Sequence, residues 1–282
     1  MKRLQCRVVA VLLLFGLLGG VRFAWAVADT VVIGGDVAEV VAELGRSEVL
    51  VGRDDTGVYP AEIALLPSVG YLRRLSAESV LSLGARRLLV SDAAQPRETL
   101  AQLEASGVEV VRIDAGQDFD ALERKVRQVA TALDANAQGE ELIARIDEQR
   151  ARVEGLAPLD ARALFILGHG GAPMVAGRGN SADAAMRLAG LDWRPDFSGY
   201  KRVGGEALVA LAPEVVLISR IGLEALGGEE ALWRMPGIGM TPAGRERRYI
   251  EVDEQALLGF GPRTPAAILA LHAALADEEA GG

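Results

Sequence analysis

The sequence predicts an α/β protein built as two similar Rossmann-like lobes joined by one long helix, with the ligand cleft between the lobes. Three observations carry that expectation. The chain repeats itself at an offset of 128 residues, where Glu78–Ser91 falls on Glu206–Ser219 without a gap. Short apolar runs alternate with helical stretches in both halves, the pattern of parallel βαβ units. Between the halves lies a helical stretch from Asp118 to about Glu154. A repeat this long excludes a short solenoid.

The first half reads in order. Thr30–Ile33 is a β-branched strand ending at Gly34-Gly35, followed by the helical pattern Asp36–Leu44 and a short strand, Val49–Val51. Ser76–Leu83 reads as a helix with Ser76 as N-cap, and Arg87–Val90 as the strand behind it. Gln95–Ser106 is a helix closed by Gly107, with Val108–Ile113 as the next strand. The stretch 118–154 is rich in Ala, Glu, Arg and Gln and contains no proline and one interior glycine, Gly139. It far exceeds an average helix of about 11–12 residues. As a stiff connector it implies a small closing motion.

Alternation then resumes with Ala163–Leu167, the loop Gly168–Gly171, the helix Ser181–Leu188 and the second repeat copy. Leu223–Leu232, Arg248–Val252 and a terminal helix, Thr264–Ala276, complete the second half. The expected boundaries are 1–28 for an export signal, 29–117 for the first lobe, 118–156 for the connector and 157–282 for the second lobe.

The beginning of the chain supports export. Lys2, Arg3 and Arg7 precede an apolar run, Val8–Leu18, and small residues for cleavage follow at Ala24-Trp25-Ala26 or Ala26-Val27-Ala28. The run is shorter than the roughly 20 residues of a membrane span. Cleavage would remove Cys6, the one cysteine, leaving neither disulfides nor thiolate metal ligands. It would also remove four basic residues, leaving 26 basic against 39 acidic groups, a formal net of −13. That balance argues against nucleic acid or anionic lipid as partner.

Ligands in such lobes lie at the carboxyl ends of the strands. The segments expected there include Gly168-His169-Gly170-Gly171, Ser219-Arg220 and the loop Pro67–Arg73. Tyr71, His169 and Arg220 are the side chains with chemistry to offer. Two histidines, His169 and His272, cannot build an imidazole cage for zinc or manganese. A ferric iron already held in a macrocycle needs only one hard anionic axial ligand, and tyrosinate is one. A free phenol has a pKa of about 10, so ferric iron and a nearby cation such as Arg73 would have to favour the anion.

The same residues also admit plainer readings. Tyr71 could pack under its loop with Arg73 a solvated charge, and Tyr200-Lys201-Arg202 repeats the pattern in the second copy. His169 could hold a backbone hydrogen bond, and Arg220 could be a surface arginine rather than a carboxylate contact.

A set of separated motifs is more specific. Val51–Thr56, Leu66–Arg73, Leu75-Ser-Ala-Glu78, Gly168–Gly171, Met174–Gly177, Met235–Ile238, Thr241–Gly244 and Leu258–Thr264 run through the chain. Together they resemble the haem-binding periplasmic proteins of bacterial ABC haem importers, which have the class III periplasmic binding protein fold. The resemblance covers nearly the whole chain after the signal. It departs at Ser79, where many members have glycine.

The resemblance implies a non-enzymatic, monomeric carrier that takes one or two haems in the periplasm for iron acquisition. Tyr71 would be the axial ligand with Arg73 beside it, and His169 a possible second ligand from the other lobe. Arg220 would meet a propionate or another part of the ligand. Glu78 and Glu206, at equivalent helix starts, would dock on a permease dimer driven by its ATPase. Two other readings stay open on the residues. One is a siderophore or cobalamin carrier, which would not need Tyr71 as metal ligand. The other is an exported enzyme, though no nucleophile elbow, phosphate loop or HExxH is present.

Overall fold

The computed structural model describes residues 28–168, 173–191, 193 and 195–281. The export signal, Cys6 and His169 lie outside the described residues. In the first half the strands are β1 (Thr30–Ile33), β2 (Leu50–Arg53), β3 (Arg87–Ser91) and β4 (Glu109–Ile113). Around them run α1 (Gly35–Glu43), α2 (Ala61–Ala64), α3 (Ala77–Leu81) and α4 (Arg97–Ala105). Two helices follow, α5 (Phe119–Ala132) and α6 (Asn136–Glu154).

The second half opens with β5 (Ala163–Leu167), β6 (Met174–Ala176), α7 (Ser181–Leu188) and β7 (Tyr200–Lys201). Next come α8 (Gly205–Leu211), β8 (Val215–Ser219), α9 (Arg220–Leu226), α10 (Glu229–Trp233) and α11 (Pro242–Glu246). The chain ends with β9 (Tyr249–Val252), α12 (Glu254–Leu258) and α13 (Thr264–Gly281). No helix among the described residues is long and apolar enough to cross a membrane.

Each half carries its own sheet. The first has the order β2-β1-β3-β4 and is parallel throughout. The second has the order β7-β6-β5-β8-β9, parallel across β5, β8 and β9 and antiparallel at β6 and β7. The repeated sequence thus occupies matching places. Its copies form α3–β3 and α8–β8, and β3 and β8 each lie between the first and last parallel strands of their own half. The sequence reading missed β6 and β7 because strands of three and two residues carry no measurable alternation.

Buried strands explain why both sheets are covered. In β1 and β8 every residue is buried, as expected for parallel strands flanked by helices on both faces. Alternation then divides the first lobe's core. Val32, Leu89 and Ile113 face α1 and α5 in a cluster that continues through Leu142, Ile143 and Ile146 of α6 into Phe165 and Leu217. Val31, Ile33, Leu88 and Val90 join a separate cluster on the opposite face, with Leu100 and Leu103 of α4.

The connector differs from the single helix expected over 118–156. It is an antiparallel hairpin of α5 and α6, turned at Leu133–Ala135 with Asp134 in the left-handed region at φ 51°. Aspartate adopts that conformation more readily than most residues, and the break uses neither proline nor glycine. Gly139, the interior glycine, permits close contact rather than breaking the helix. A Cβ there would lie 2.7 Å from the Ala130 Cβ. Arg127–Glu140 at 3.1 Å and Arg150–Asp120 at 2.7 Å pair the two arms. Within the second half, Leu223–Leu232 is likewise two helices, separated by Gly227 and Gly228, both at positive φ.

Candidate functional site

Loops from the carboxyl ends of both sheets meet. Gly35, after β1, lies so close to α12 that an added Cβ would approach Gln255 Nε2 to 3.0 Å. Gln255 Nε2 donates to the Gly35 carbonyl at 3.2 Å and to Glu39 at 2.7 Å. Lys125 of α5 is fully buried, ion-pairs with Asp36 and donates to the Phe260 carbonyl at 2.8 Å. Arg263 reaches Glu39 at 2.7 Å and Asp253 at 2.6 Å. Burial pushes the Glu39 carboxyl above its usual range, with Arg263 pulling the other way. These contacts join the lobes along one side of the cleft.

Asp54 organises the first lobe's end of the cleft. Its buried carboxylate accepts from the Gly34 amide at 2.8 Å, the Thr56 amide at 3.1 Å and the Thr56 hydroxyl at 2.9 Å. Burial raises its pKa, while the amides of Gly34, Thr56 and Leu72 and the Thr56 hydroxyl favour the anion. Loop 67–70 is stitched to the same strand end. Arg53 N–H donates to the Pro67 carbonyl at 3.0 Å, Val69 N–H to the Arg53 carbonyl at 2.8 Å, and Asp55 N–H to the Gly70 carbonyl at 2.9 Å. Gly70 turns at φ 95°, which glycine adopts without strain. On the other flank, Gln95 N–H donates to the Leu72 carbonyl at 2.8 Å.

This framework sets Tyr71 at the start of a single 3₁₀ turn, Leu72–Arg74, with buried Leu72 as its anchor. Tyr71 stays 38% exposed. Among the described residues its phenol has no hydrogen-bond partner and Arg73 no ion pair. The two chemistry-bearing side chains of the first lobe therefore sit on one turn without competing partners.

The second lobe is built more tightly. Gly168, at the end of β5, packs on the first turn of α9, where a Cβ would fall 2.5 Å from Gly222 Cα. Gly168 thus lies against the helix turn that begins with Arg220, the first residue of α9. Ser219 Oγ donates to Glu254 at 2.7 Å and accepts from the Gly222 amide at 3.1 Å. Arg220 is exposed and ion-paired with Glu224 at 2.8 Å on its own helix. Its position at the strand end agrees with the sequence expectation, while its charge is already partnered. Tyr200 lies in edge strand β7, where burial raises its pKa and a Ser181 hydrogen bond lowers it. His272 is part-buried, its Nδ1 3.0 Å from the Ala189 carbonyl, a packing role.

Glu78 and Glu206 are exposed at the second position of α3 and of α8. The described residues contain no cluster of three or more metal-ligating side chains. A surface cavity of about 380 Å³ lies elsewhere, between Phe119, Arg150, Glu154 and Leu188. Arg150 in its wall already pairs with Asp120 and Glu154. Sequence reasoning missed Asp54, Tyr59 and Arg263 as individuals. Their only signal was membership of the motifs Val51–Thr56 and Leu258–Thr264 and of the loop between β2 and Tyr71.

The family model described as "Periplasmic binding protein" matches residues 31–256. The chain belongs to the periplasmic binding protein family. No curated protein matches this binding protein. Among solved structures it is similar to the periplasmic heme-binding protein BhuT in complex with two hemes. That match has 43% identity, covers 88% of this chain and 98% of the other, and has a TM-score of 0.81. The apo periplasmic heme-binding protein RhuT from Roseiflexus sp. RS-1 is 36% identical over 89% and 99% of the two chains, with a TM-score of 0.82. A periplasmic heme-binding protein from Pseudomonas aeruginosa is 33% identical over 88% and 92%, with a TM-score of 0.76.

Proposed function

We propose that this protein captures ferric haem in the cleft between its lobes and delivers it, in the periplasm, to an ABC permease driven by its ATPase. The observation that carries the reading is the turn at Tyr71. Among the described residues, an exposed phenol without a hydrogen-bond partner stands two residues from an arginine without an ion pair, at the carboxyl end of the first sheet. Tyr71 supplies the axial oxygen, and ferric iron and Arg73 favour its phenolate form. His169 is the candidate second ligand from the opposite lobe. Arg220 turns from Glu224 to a propionate, exchanging one exposed charge pair for another.

The names of the similar structures, all heme-binding proteins, support haem over a siderophore or a corrinoid. The chain acts as a carrier rather than an enzyme and as a monomer. Residues 1–28 are removed on export. Glu78 and Glu206 present one carboxylate per lobe to basic residues of the permease dimer, where complementary charge orients docking.

The test is a titration of the purified mature protein with ferric haem, followed by visible absorption, beside a Tyr71→Ala variant. A saturable Soret shift with a high-spin tyrosinate signature, lost in the variant, is expected, and its end point gives one haem or two. Free-haem spectra from both proteins would refute the reading in favour of another chelate.

A further inference from the structure

Two residues of the cleft remain outside this account. Tyr59 lies in the loop after β2, and Arg263 in the stretch Leu258–Thr264 of the other lobe. The Arg263 guanidinium sits 3.7 Å from the centroid of the Tyr59 ring, well inside the roughly 6 Å range of a cation–π contact. It is fixed there by one carboxylate from each lobe, Glu39 at 2.7 Å and Asp253 at 2.6 Å. Glu39 is only 2% exposed, so withdrawing the guanidinium would leave a buried carboxylate without its cation.

Tyr59 is nevertheless 42% exposed. With Arg263 against one face, its exposure leaves ring surface free for a ligand. The loop that carries it leaves β2 through Asp54 and Asp55, the residues that also hold the Tyr71 turn. The Tyr59 loop therefore leaves β2 at the strand end to which the segment before Tyr71 is stitched back. Val58 at 51% and Leu65 at 86% exposure add apolar surface to the same segment.

We propose that Tyr59 is a second aromatic contact for the cargo, its open face stacking on a flat macrocycle while Arg263 holds it from behind. The proposal rests on the haem reading and adds a determinant of ligand shape. A cation behind the ring draws electron density from the open face, which suits contact with an electron-rich macrocycle. A siderophore that wraps its metal in a rounded oxygen cage offers no such plane. Because Tyr59 and Arg263 come from different lobes, the wall is complete only when the lobes are in contact.

The test titrates ferric haem into wild type and the Tyr71→Ala, Tyr59→Ala, Tyr59→Phe and Arg263→Lys variants, with circular-dichroism melts of each apo form to verify folding. Tyr59→Ala is expected to raise Kd about five- to tenfold with the tyrosinate signature intact. Tyr59→Phe keeps the ring and should stay within about twofold of wild type. Arg263→Lys keeps the charge but loses the planar guanidinium, and should fall between them. An unchanged Kd in Tyr59→Ala would overturn the proposal, as would an equal loss in Tyr59→Phe, which would point to the hydroxyl. If Tyr71→Ala loses the signature while Tyr59→Ala binds normally, the stacking wall alone falls. A wild-type protein with no saturable haem spectrum overturns the wall together with the reading beneath it.

Discussion

The two copies of the repeated segment differ most where they look most alike. Gly70-Tyr71-Leu72-Arg73 and Gly199-Tyr200-Lys201-Arg202 share glycine, tyrosine and arginine at the same spacing. In the first lobe the tyrosine begins a 3₁₀ turn and its phenol is partnerless among the described residues. In the second it enters an edge strand and its phenol meets Ser181 at the start of α7. Gly70 and Gly199 both turn at positive φ, 95° and 71°. The divergence therefore lies in what receives the chain after the glycine. Segment 67–70 aligns along β2, whereas Tyr200 pairs with Ala176 in a sheet that gained two antiparallel strands. Duplication supplied the scaffold, and the edge strands converted one of two similar tyrosines into a packing residue.

That contrast can be tested, beginning with what joins the lobes. Lys125→Ala leaves Asp36 without its buried cation and two carbonyls without a donor. It should cost about 3–5 kcal/mol in urea unfolding. A loss below about 1 kcal/mol would mean the lobes do not depend on this link.

The tyrosines come next. Tyr71→Ala should weaken ferric haem about 100-fold or more, near 3 kcal/mol, while Tyr200→Phe should leave Kd within about twofold. Equal losses would erase the distinction between the copies. The helix starts give the smallest effect. Ser76 caps α3 with its side chain at a long 3.5 Å, whereas Gly204 before α8 offers none. Ser76→Ala should therefore cost only about 0.5–1 kcal/mol, and Gly204→Ala a few tenths, both read from thermal melts.

Acid should act through the two buried carboxyls, Asp54 in the first lobe and Glu39 at the contact between the lobes. Burial raises the native pKa of Asp54 above the ordinary 3.8, so the folded chain binds that proton more tightly than the unfolded chain. Its contribution to stability is least at pH values above the native pKa. It grows as the pH falls through that pKa toward 3.8. Urea midpoints measured from neutral pH downward should show this gain in wild type and a smaller one in Asp54→Asn, where Glu39 alone still contributes.

Local signals read well from the chain. β1, β5 and α7 appear with the bounds their composition suggested, and Ser76 is the N-cap the sequence indicated. The hairpin was harder because Asp134 reverses the chain without glycine or proline, while Gly139, the one interior glycine, serves packing between the arms. Arg220 was legible as a strand-end residue, and its pairing with Glu224 follows from i,i+4 spacing. Tyr59 and Arg263 were not legible as a pair, since they meet only after two sheets and a hairpin have folded.

The buried cluster that passes through α6 from one sheet to the other has a further consequence. The lobes share a melting unit, so calorimetry should record one endotherm rather than two. A ligand that favours the folded state raises that single midpoint by mass action. Amide protons of α6, which carries none of the candidate ligand residues, should then exchange more slowly when the cleft is filled.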